Sequence, residues 1–191
     1  MTPEPTGRLV PTSSGVDIVL TRLISAPVED VWASVTDSER TARWFGRWEG
    51  DARPGGMIRV QMAFEEGDAW SDALIETCDP PHRLGLAVGD AADQWRLELS
   101  LAQRSDHTEL TFIQHRETPD GAGEIGPGWE YYLDNLLASR EGAPLPSFDD
   151  YYPFMQAYYE DQAAAARAAT AGSGTAESGR TTTGSTTGSP H

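Results

Sequence analysis

The feature of the sequence that most constrains its fold is a series of short alternating segments between residues 47 and 116. Apolar residues recur at every second position in several of these segments, and turns rich in Gly, Pro and Asp divide them, which is typical of β-strands. The connections are shorter than the crossovers that parallel neighbours need, so an antiparallel sheet is predicted. The predicted strands are Trp48–Asp51, Met57–Glu65, Trp70–Thr77, Arg83–Val88, Gln94–Ala102 and Thr108–Arg116.

One further strand and two helices are predicted before this region. Val16–Ser25 is rich in Ile, Val and Leu and suits a first strand. Pro27 lies at a favourable first helical position, and apolar residues then recur at positions 28, 31, 32 and 35, which indicates a helix with one apolar face. Thr36 and Glu39 have the spacing of a capping box and predict a second short helix.

Two more helices are predicted after the sheet. Apolar residues at positions 129, 132, 133, 136 and 137 repeat at helical spacing, which predicts a long helix over Pro127–Glu141 that covers the apolar face of the sheet. Gly142 ends that helix. The aromatic and alanine-rich segment Pro153–Ala169 predicts a last helix packed on the outside.

These elements divide the chain into four parts. Residues 1–15 are predicted to be a flexible N-terminal segment, because its prolines stop regular structure, although Leu9 and Val10 could lie along a sheet edge. Residues 16–142 are predicted to be the folded domain, and 143–170 an extension that carries the last helix. Residues 171–191 are mostly Gly, Ser and Thr with almost no apolar side chain to bury, so a disordered tail is predicted.

The charge of the chain limits its partners. Thirty acidic residues against 14 basic ones give a net charge of −16, and such a field repels nucleic acid and anionic membranes. No segment has the length and apolarity of a membrane span or signal peptide, so a cytoplasmic protein is expected. The single cysteine, Cys78, excludes an internal disulfide and a cysteine-based zinc cluster. No metal and no cofactor are predicted.

Several segments resemble a known protein family. ISAPVEDVWASVTDSERTARWFG, with its D-x-E-x-x-x-x-W pattern, and PGGMIRVQM, CDPPHRLGLAV, TELTFIQHR and GPGWEYYLDNLLASREG follow one another in the order seen in the heat-shock-ATPase-activator-like (AHSA-type) branch of the START-like (SRPBCC) superfamily. The resemblance implies the α+β helix-grip fold, in which a curved antiparallel sheet of six to seven strands wraps a long C-terminal helix. It also implies a cavity between sheet and helix that holds an apolar small molecule in many relatives.

Aromatic residues are the strongest candidates for a ligand site in such a cavity. A tryptophan buries much ligand surface and its indole N–H can orient the ligand, although the same residues could simply fill the core. The predicted ligand-binding residues are Trp44, Phe45, Trp48, Met62, Phe64, Trp70, Trp95, Phe112, His115, Trp129, Tyr132, Leu133 and Leu136.

Two features near the end of the last predicted strand bear on the site. Either Gln114 or His115 faces inward, because neighbouring strand residues point to opposite faces. The glycine-rich segment 121–126 matches G-x-G-x-x-G, but no parallel strand follows and Glu124 would oppose a pyrophosphate, so a dinucleotide site is rejected. A flexible gate loop is predicted there instead.

Three functions are compatible with these observations. The first is a module that binds an apolar small molecule in the cavity. The second is a protein-interaction or co-chaperone-like module that uses the acidic surface and the tyrosines at positions 151, 152, 158 and 159. The third is a cyclase- or hydrolase-like enzyme with His115 as acid or base. No catalytic residue is assigned, because the sequence shows no carboxylate paired with that histidine, and an enzyme is the less favoured reading.

Overall fold

A computed structural model describes residues 3–61, 70–90 and 94–175, and the side chains up to residue 171. The described residues form an eight-stranded antiparallel sheet in the order β1-β2-β8-β7-β6-β5-β4-β3. The strands are β1 Arg8–Thr12, β2 Gly15–Ile24, β3 Trp48–Gly50, β4 Met57–Gln61, β5 Trp70–Asp79, β6 Arg83–Val88, β7 Trp95–Arg104 and β8 His107–Arg116.

The helices follow the predicted order. They are α1 Val28–Thr36, α2 Ser38–Thr41, α3 Ala122–Glu141 and α4 Gln156–Thr175, with a short 3-10 helix at Phe148–Asp150 before α4. None of the helices in the described ranges combines the length and the hydropathy that a bilayer-spanning helix requires.

The cap of α2 differs from the prediction. Asp37 is the N-cap residue, and its carboxylate accepts hydrogen bonds from the backbone N–H groups of Glu39 and Arg40. The hydroxyl of Thr36 donates instead to the carbonyl of Trp32 within α1. The capping-box prediction was therefore wrong by one residue, because aspartate is the stronger cap.

The sheet wraps α3, as the helix-grip prediction requires. Alternate side chains on β2 and β8, including Ile18 and Leu110, are fully buried against α3. Leu133 and Leu136 face them from the helix and are also fully buried. The resulting core holds the long helix in the concave face of the sheet.

The N-terminal segment forms a strand rather than the predicted flexible segment. Residues 8–12 pair with β2 in antiparallel register, with Leu9 opposite Ile18, so the sheet has eight strands instead of six to seven. Leu9 is buried. The prolines suggested irregular structure, but Pro11 is tolerated because β1 is an edge strand, where a missing N–H breaks no ladder.

The glycine-rich segment belongs to α3 and is not a gate loop. The helix begins at Ala122, and α4 packs across its first turns. A Cβ on Gly126 would lie 2.3 Å from the ring of Tyr159, so the glycine permits this close approach. α4 itself extends to Thr175, beyond the predicted end at 169, and residues 176–191 of the predicted tail lie outside the described residues.

A buried ion pair joins the N-terminal segment, the sheet and both long helices. Arg22 on β2 donates to the carboxylate of Glu130 on α3 over 2.6 Å, and both side chains are buried. Glu130 also accepts from the backbone N–H groups of Thr6 and Gly7 and from the hydroxyl of Tyr159. The buried carboxylate of Glu130 is therefore paired and hydrogen-bonded, as a buried charge requires.

Candidate ligand-binding site

A cavity of about 310 Å³ lies between the concave face of the sheet, α1, the residues after α2, and α3. Its lining is almost entirely apolar. The residues that line it are Trp32, Val35, Thr36, Thr41, Trp44, Phe45, Gly46, Trp48, Ala52, Ile58, Val60, Ile75, Cys78, Pro80, Leu84, Leu86, Val88, Leu97, Glu98, Leu99, Phe112, Trp129 and Leu133.

The two sides of the cavity have different chemistry. The sheet contributes mostly aliphatic side chains at alternate positions of β4 to β7, because residues two apart point to the same face. The helical side contributes aromatic rings, and Phe45 stacks on Trp129 with 6.4 Å between the ring centroids. Phe112 adds a further ring from β8, and its centroid lies 4.2 Å from that of Trp129. A ligand would lie between aliphatic side chains on one side and aromatic rings on the other.

The indole N–H groups of three lining tryptophans already have acceptors within the protein. Trp44 donates to the carbonyl of Ser34 and Trp48 to the carbonyl of Thr36, each over 3.0 Å. Trp129 donates to Oε1 of Gln114 over 2.7 Å. The expectation that these N–H groups orient a ligand is therefore not met, and the rings offer it their carbon surfaces.

The cavity has little ionisable chemistry. Glu98 borders it, but its carboxylate bonds to Arg83 over 2.9 Å on the outer face of the sheet. Cys78 also borders it, and burial together with the neighbouring Asp79 raises the pKa of the thiol. Among the described lining residues no acid and base are paired for proton transfer, so the arrangement favours binding an uncharged molecule.

Gln114, and not His115, faces the closing helix. Gln114 is buried and contacts Trp129, whereas His115 lies on the outer face with its Nδ1 2.8 Å from the carboxylate of Asp17. The register of β8 against β2 and β7 determines this alternation. His115 is thus separated from the cavity by the sheet.

The segment that encloses the cavity also matches a known protein family. Residues 25–139 match the family model described as Activator of Hsp90 ATPase homolog 1-like protein. The chain belongs to this family. The matched range runs from the end of β2 almost to the end of α3, and so includes all the elements that enclose the cavity. Comparison with curated proteins gives no significant match.

Solved structures share the fold of this family member. CalU16 from Micromonospora echinospora is 26% identical, with a TM-score of 0.64 over 85% of this chain and 96% of that one. BPP1335 from Bordetella parapertussis is 20% identical, with a TM-score of 0.67 over 83% and 91%. DynU16, from the dynemicin biosynthetic locus, is 23% identical, with a TM-score of 0.57 over 72% and 50%. The last two likenesses bear on the fold alone.

Six of the predicted site residues line the cavity of this family member. They are Trp44, Phe45, Trp48, Phe112, Trp129 and Leu133. Their contact with a ligand stays a prediction.

The other predicted residues that the structure describes do not line the cavity. Tyr132 and Leu136 are buried on α3, and Trp95 packs at 6.2 Å from Trp129 between ring centroids without lining the cavity. Trp70 is 36% exposed at the start of β5, where the guanidinium of Arg59 lies 5.3 Å from the ring centroid. Residues 62 and 64, the predicted Met62 and Phe64, lie outside the described residues.

The sequence-based list lacked Trp32 and most of the aliphatic wall. Trp32 was assigned to the apolar face of α1 and does lie there, but it also borders the cavity. Ile75, Leu84 and Leu86 were within predicted strands without a recognisable ligand signal, since alternating leucines are equally typical of a filled core. Only the three-dimensional gap between the layers distinguishes the two.

The tyrosines of the C-terminal extension are not one exposed surface. Tyr151 and Tyr159 are buried, and their hydroxyls donate to the carboxylates of Asp134 and Glu130. Tyr158 is 36% exposed and donates to the carbonyl of Gly7. Replacing all four tyrosines would therefore damage the fold and cannot test for a partner.

Proposed function

We propose that this protein binds an uncharged, largely apolar small molecule in the cavity between the sheet and α3. The observation that carries the proposal is the cavity of about 310 Å³ with an almost wholly apolar lining. Binding sites for small molecules are concave, mostly apolar and have only a few polar groups. Membership of the Activator of Hsp90 ATPase homolog 1-like family supports the fold that encloses the cavity.

The lining also limits the kind of ligand. Because the indole N–H groups of Trp44, Trp48 and Trp129 have internal acceptors, binding depends on shape and apolar contact. The volume lies near the lower end of the range for ligand pockets, about 300–1,000 Å³. A compact molecule of mostly carbon with a flat ring would use both the aromatic and the aliphatic side.

A cavity-filling substitution tests the proposal. Leu86 lines the cavity from β6, and Leu86→Trp should occupy the space and abolish uptake of the neutral fluorescent probe N-phenyl-1-naphthylamine. Leu23→Trp is the matched control, because Leu23 is 62% exposed on the outer face of β2. The control should bind the probe like the natural chain.

Thermal stability separates an open cavity from a filled core. If the cavity is open, Leu86→Trp should unfold at nearly the same temperature as the natural chain. In a filled core the larger side chain would lower the free energy of unfolding by about 1–3 kcal/mol. Loss of stability in the variant, together with no probe uptake by the natural chain, would refute the proposal. If the natural chain binds the probe, native mass spectrometry of the purified protein, followed by extraction, would identify the molecule that it carries.

A second candidate function is docking on another protein through the C-terminal extension. Phe154 is 71% exposed and Phe148 42% exposed, and the ring of Phe148 stacks on Tyr152 at 6.1 Å. Large exposed aromatic side chains are enriched where proteins meet. Stimulation of a heat-shock ATPase by the natural chain, lost in Phe154→Ser with probe binding retained, would support this function, and no stimulation would exclude that partner.

A further inference from the structure

A second, polar pocket lies where α1, the residues around α2 and the C-terminal end of α3 meet. Its volume is about 150 Å³, roughly half that of the apolar cavity. We call it the arginine pocket. It is lined by Asp30, Ser34, Arg40, Arg43, Trp44, Ser139 and Arg140.

Positive charge is in excess in the arginine pocket. Asp30 is its single carboxylate, and it pairs with Arg40 over 2.9 Å through one oxygen and with Arg140 over 2.7 Å through the other. Among the described lining residues, three guanidinium groups thus face one carboxylate, which leaves two positive charges in excess in the lining, while Asp37 outside it also attracts Arg40. This local excess stands out in a chain whose net charge is −16.

Arg43 is available to a ligand. Its side chain is exposed and makes no hydrogen bond or ion pair with any residue in the described ranges. An arginine carries five N–H donors in a planar fork that matches the oxygens of a carboxylate or phosphate. Arg43 can therefore close over an anion in the pocket without first breaking another contact.

Arg140 forms the fixed floor of the pocket. Its side chain is only 15% exposed, and besides Asp30 it contacts the hydroxyl of Ser34 and the carbonyl of Asp30. The indole N–H of Trp44 donates to the carbonyl of Ser34 on the same turn of α1. These bonds hold the floor of the pocket in place, while Arg40 and Arg43 at its rim are exposed to solvent.

We propose that the arginine pocket binds a phosphate group, either as free phosphate or as the ester of a small molecule. A phosphate monoester carries a charge of about −1.5 to −2 at pH 7, which matches the excess of two positive charges. Its several oxygens can each accept from a different guanidinium, and such charge-assisted bonds are the stronger ones. Because the pocket is half open, the affinity falls as the salt concentration rises.

The test is isothermal titration with inorganic phosphate in a buffer of low ionic strength. The natural chain should show saturable binding at one site. Arg43→Gln should weaken it by about fivefold, as the loss of one exposed charge pair predicts. Asp30→Asn should strengthen it by about fivefold, because it releases Arg40 and Arg140 from their resident carboxylate.

Arg8→Gln is the matched control for charge, because Arg8 is exposed on β1 and does not line the pocket. It should leave phosphate affinity unchanged. An equal loss in Arg8→Gln, an unchanged affinity in Asp30→Asn, or no saturable binding by the natural chain would each overturn the proposal. Equal binding of acetate would also overturn it, since a carboxylate carries one charge and not two.

Two further arms identify the source of the phosphate and separate this site from the apolar cavity. Tighter binding of glycerol 3-phosphate than of inorganic phosphate would assign the pocket to a phosphate ester, equal binding would assign it to the phosphate group that both share, and binding of inorganic phosphate alone would assign it to the free anion. Leu86→Trp fills the other cavity and should leave phosphate binding unchanged. The two proposals can therefore fail independently.

Discussion

The indole nitrogen of Trp129 on α3 donates a 2.7 Å hydrogen bond to Oε1 of Gln114 on β8, and both side chains are buried. The bond joins the closing helix to the sheet at the edge of the apolar cavity. It also occupies the one N–H group that Trp129 could otherwise offer to a ligand.

Replacing Gln114 tests this relationship. Gln114→Leu should destabilise the protein by about 2 kcal/mol, because it leaves the indole N–H buried without an acceptor. Trp129→Phe removes the donor, so the double variant should cost less than the sum of the two single variants. Chemical denaturation of all four proteins measures the coupling, and strictly additive losses would contradict it.

The buried pair of Arg22 and Glu130 predicts a pH-dependent stability. Burial disfavours the charged form of Glu130, but hydrogen bonds from Tyr159 and Arg22 outweigh it and lower its pKa. A carboxylate with a lowered folded pKa stabilises the fold above its unfolded pKa, about 4.3. That stability is lost as the pH falls through the lower, folded pKa.

Glu130→Gln should therefore cost about 3 kcal/mol at neutral pH, because it leaves the buried charge of Arg22 with Asp134 as its remaining partner. The difference from the natural chain should be constant between neutral pH and about pH 5, and shrink at more acidic pH. Urea denaturation across this range measures it. A difference that does not change with pH would contradict the assignment of the charge to Glu130.

Much of the fold could be predicted because it depends on local patterns. The alternation on β4, β7 and β8 and the helical spacing on α3 each had one consistent interpretation, and the family resemblance gave their order. β1 was not assigned as a strand although it pairs with β2 in a local hairpin, because its prolines favour irregular structure until an edge position accommodates them.

The site was less predictable than the fold. Tryptophans at 44, 48 and 129 could be assigned to the cavity because large aromatic side chains are typical of apolar pockets, but the acceptors of their N–H groups are in other elements. The arginine pocket could not be predicted from the sequence. Its residues come from three separate segments, and no spacing in the chain relates Arg40 to Arg140.

Gly126 and Gly128 should respond in opposite ways to alanine. A Cβ at Gly126 would collide with Tyr159, so Gly126→Ala should destabilise the packing of α4 on α3 by about 2 kcal/mol. A Cβ at Gly128 would have no neighbouring atom within 4 Å, so Gly128→Ala should stabilise α3 by about 1 kcal/mol through helix propensity. Thermal unfolding measures both changes. A loss of stability in both variants would show that the backbone conformation, and not the close approach of Tyr159, requires glycine at these positions.

Cys78 offers a direct chemical measure of the cavity, because it is the chain's single cysteine and borders the space. Burial and Asp79 raise the pKa of its thiol, so less thiolate forms and N-ethylmaleimide should react more slowly than with an unperturbed thiol. When N-phenyl-1-naphthylamine occupies about nine-tenths of the protein, the reaction should slow about tenfold, because only the unoccupied fraction reacts.

A relocated cysteine provides the control for this protection. Ser13 is exposed in the turn between β1 and β2, away from the cavity, so the variant Cys78→Ser/Ser13→Cys should react at the rate of an ordinary thiol whether or not the fluorescent probe is present. Mass spectrometry of the time course measures both rates. Protection of Cys78 alone would locate the probe inside the helix-grip cavity. Equal protection at both positions, or at neither, would mean that the probe binds elsewhere and that the cavity is not its site.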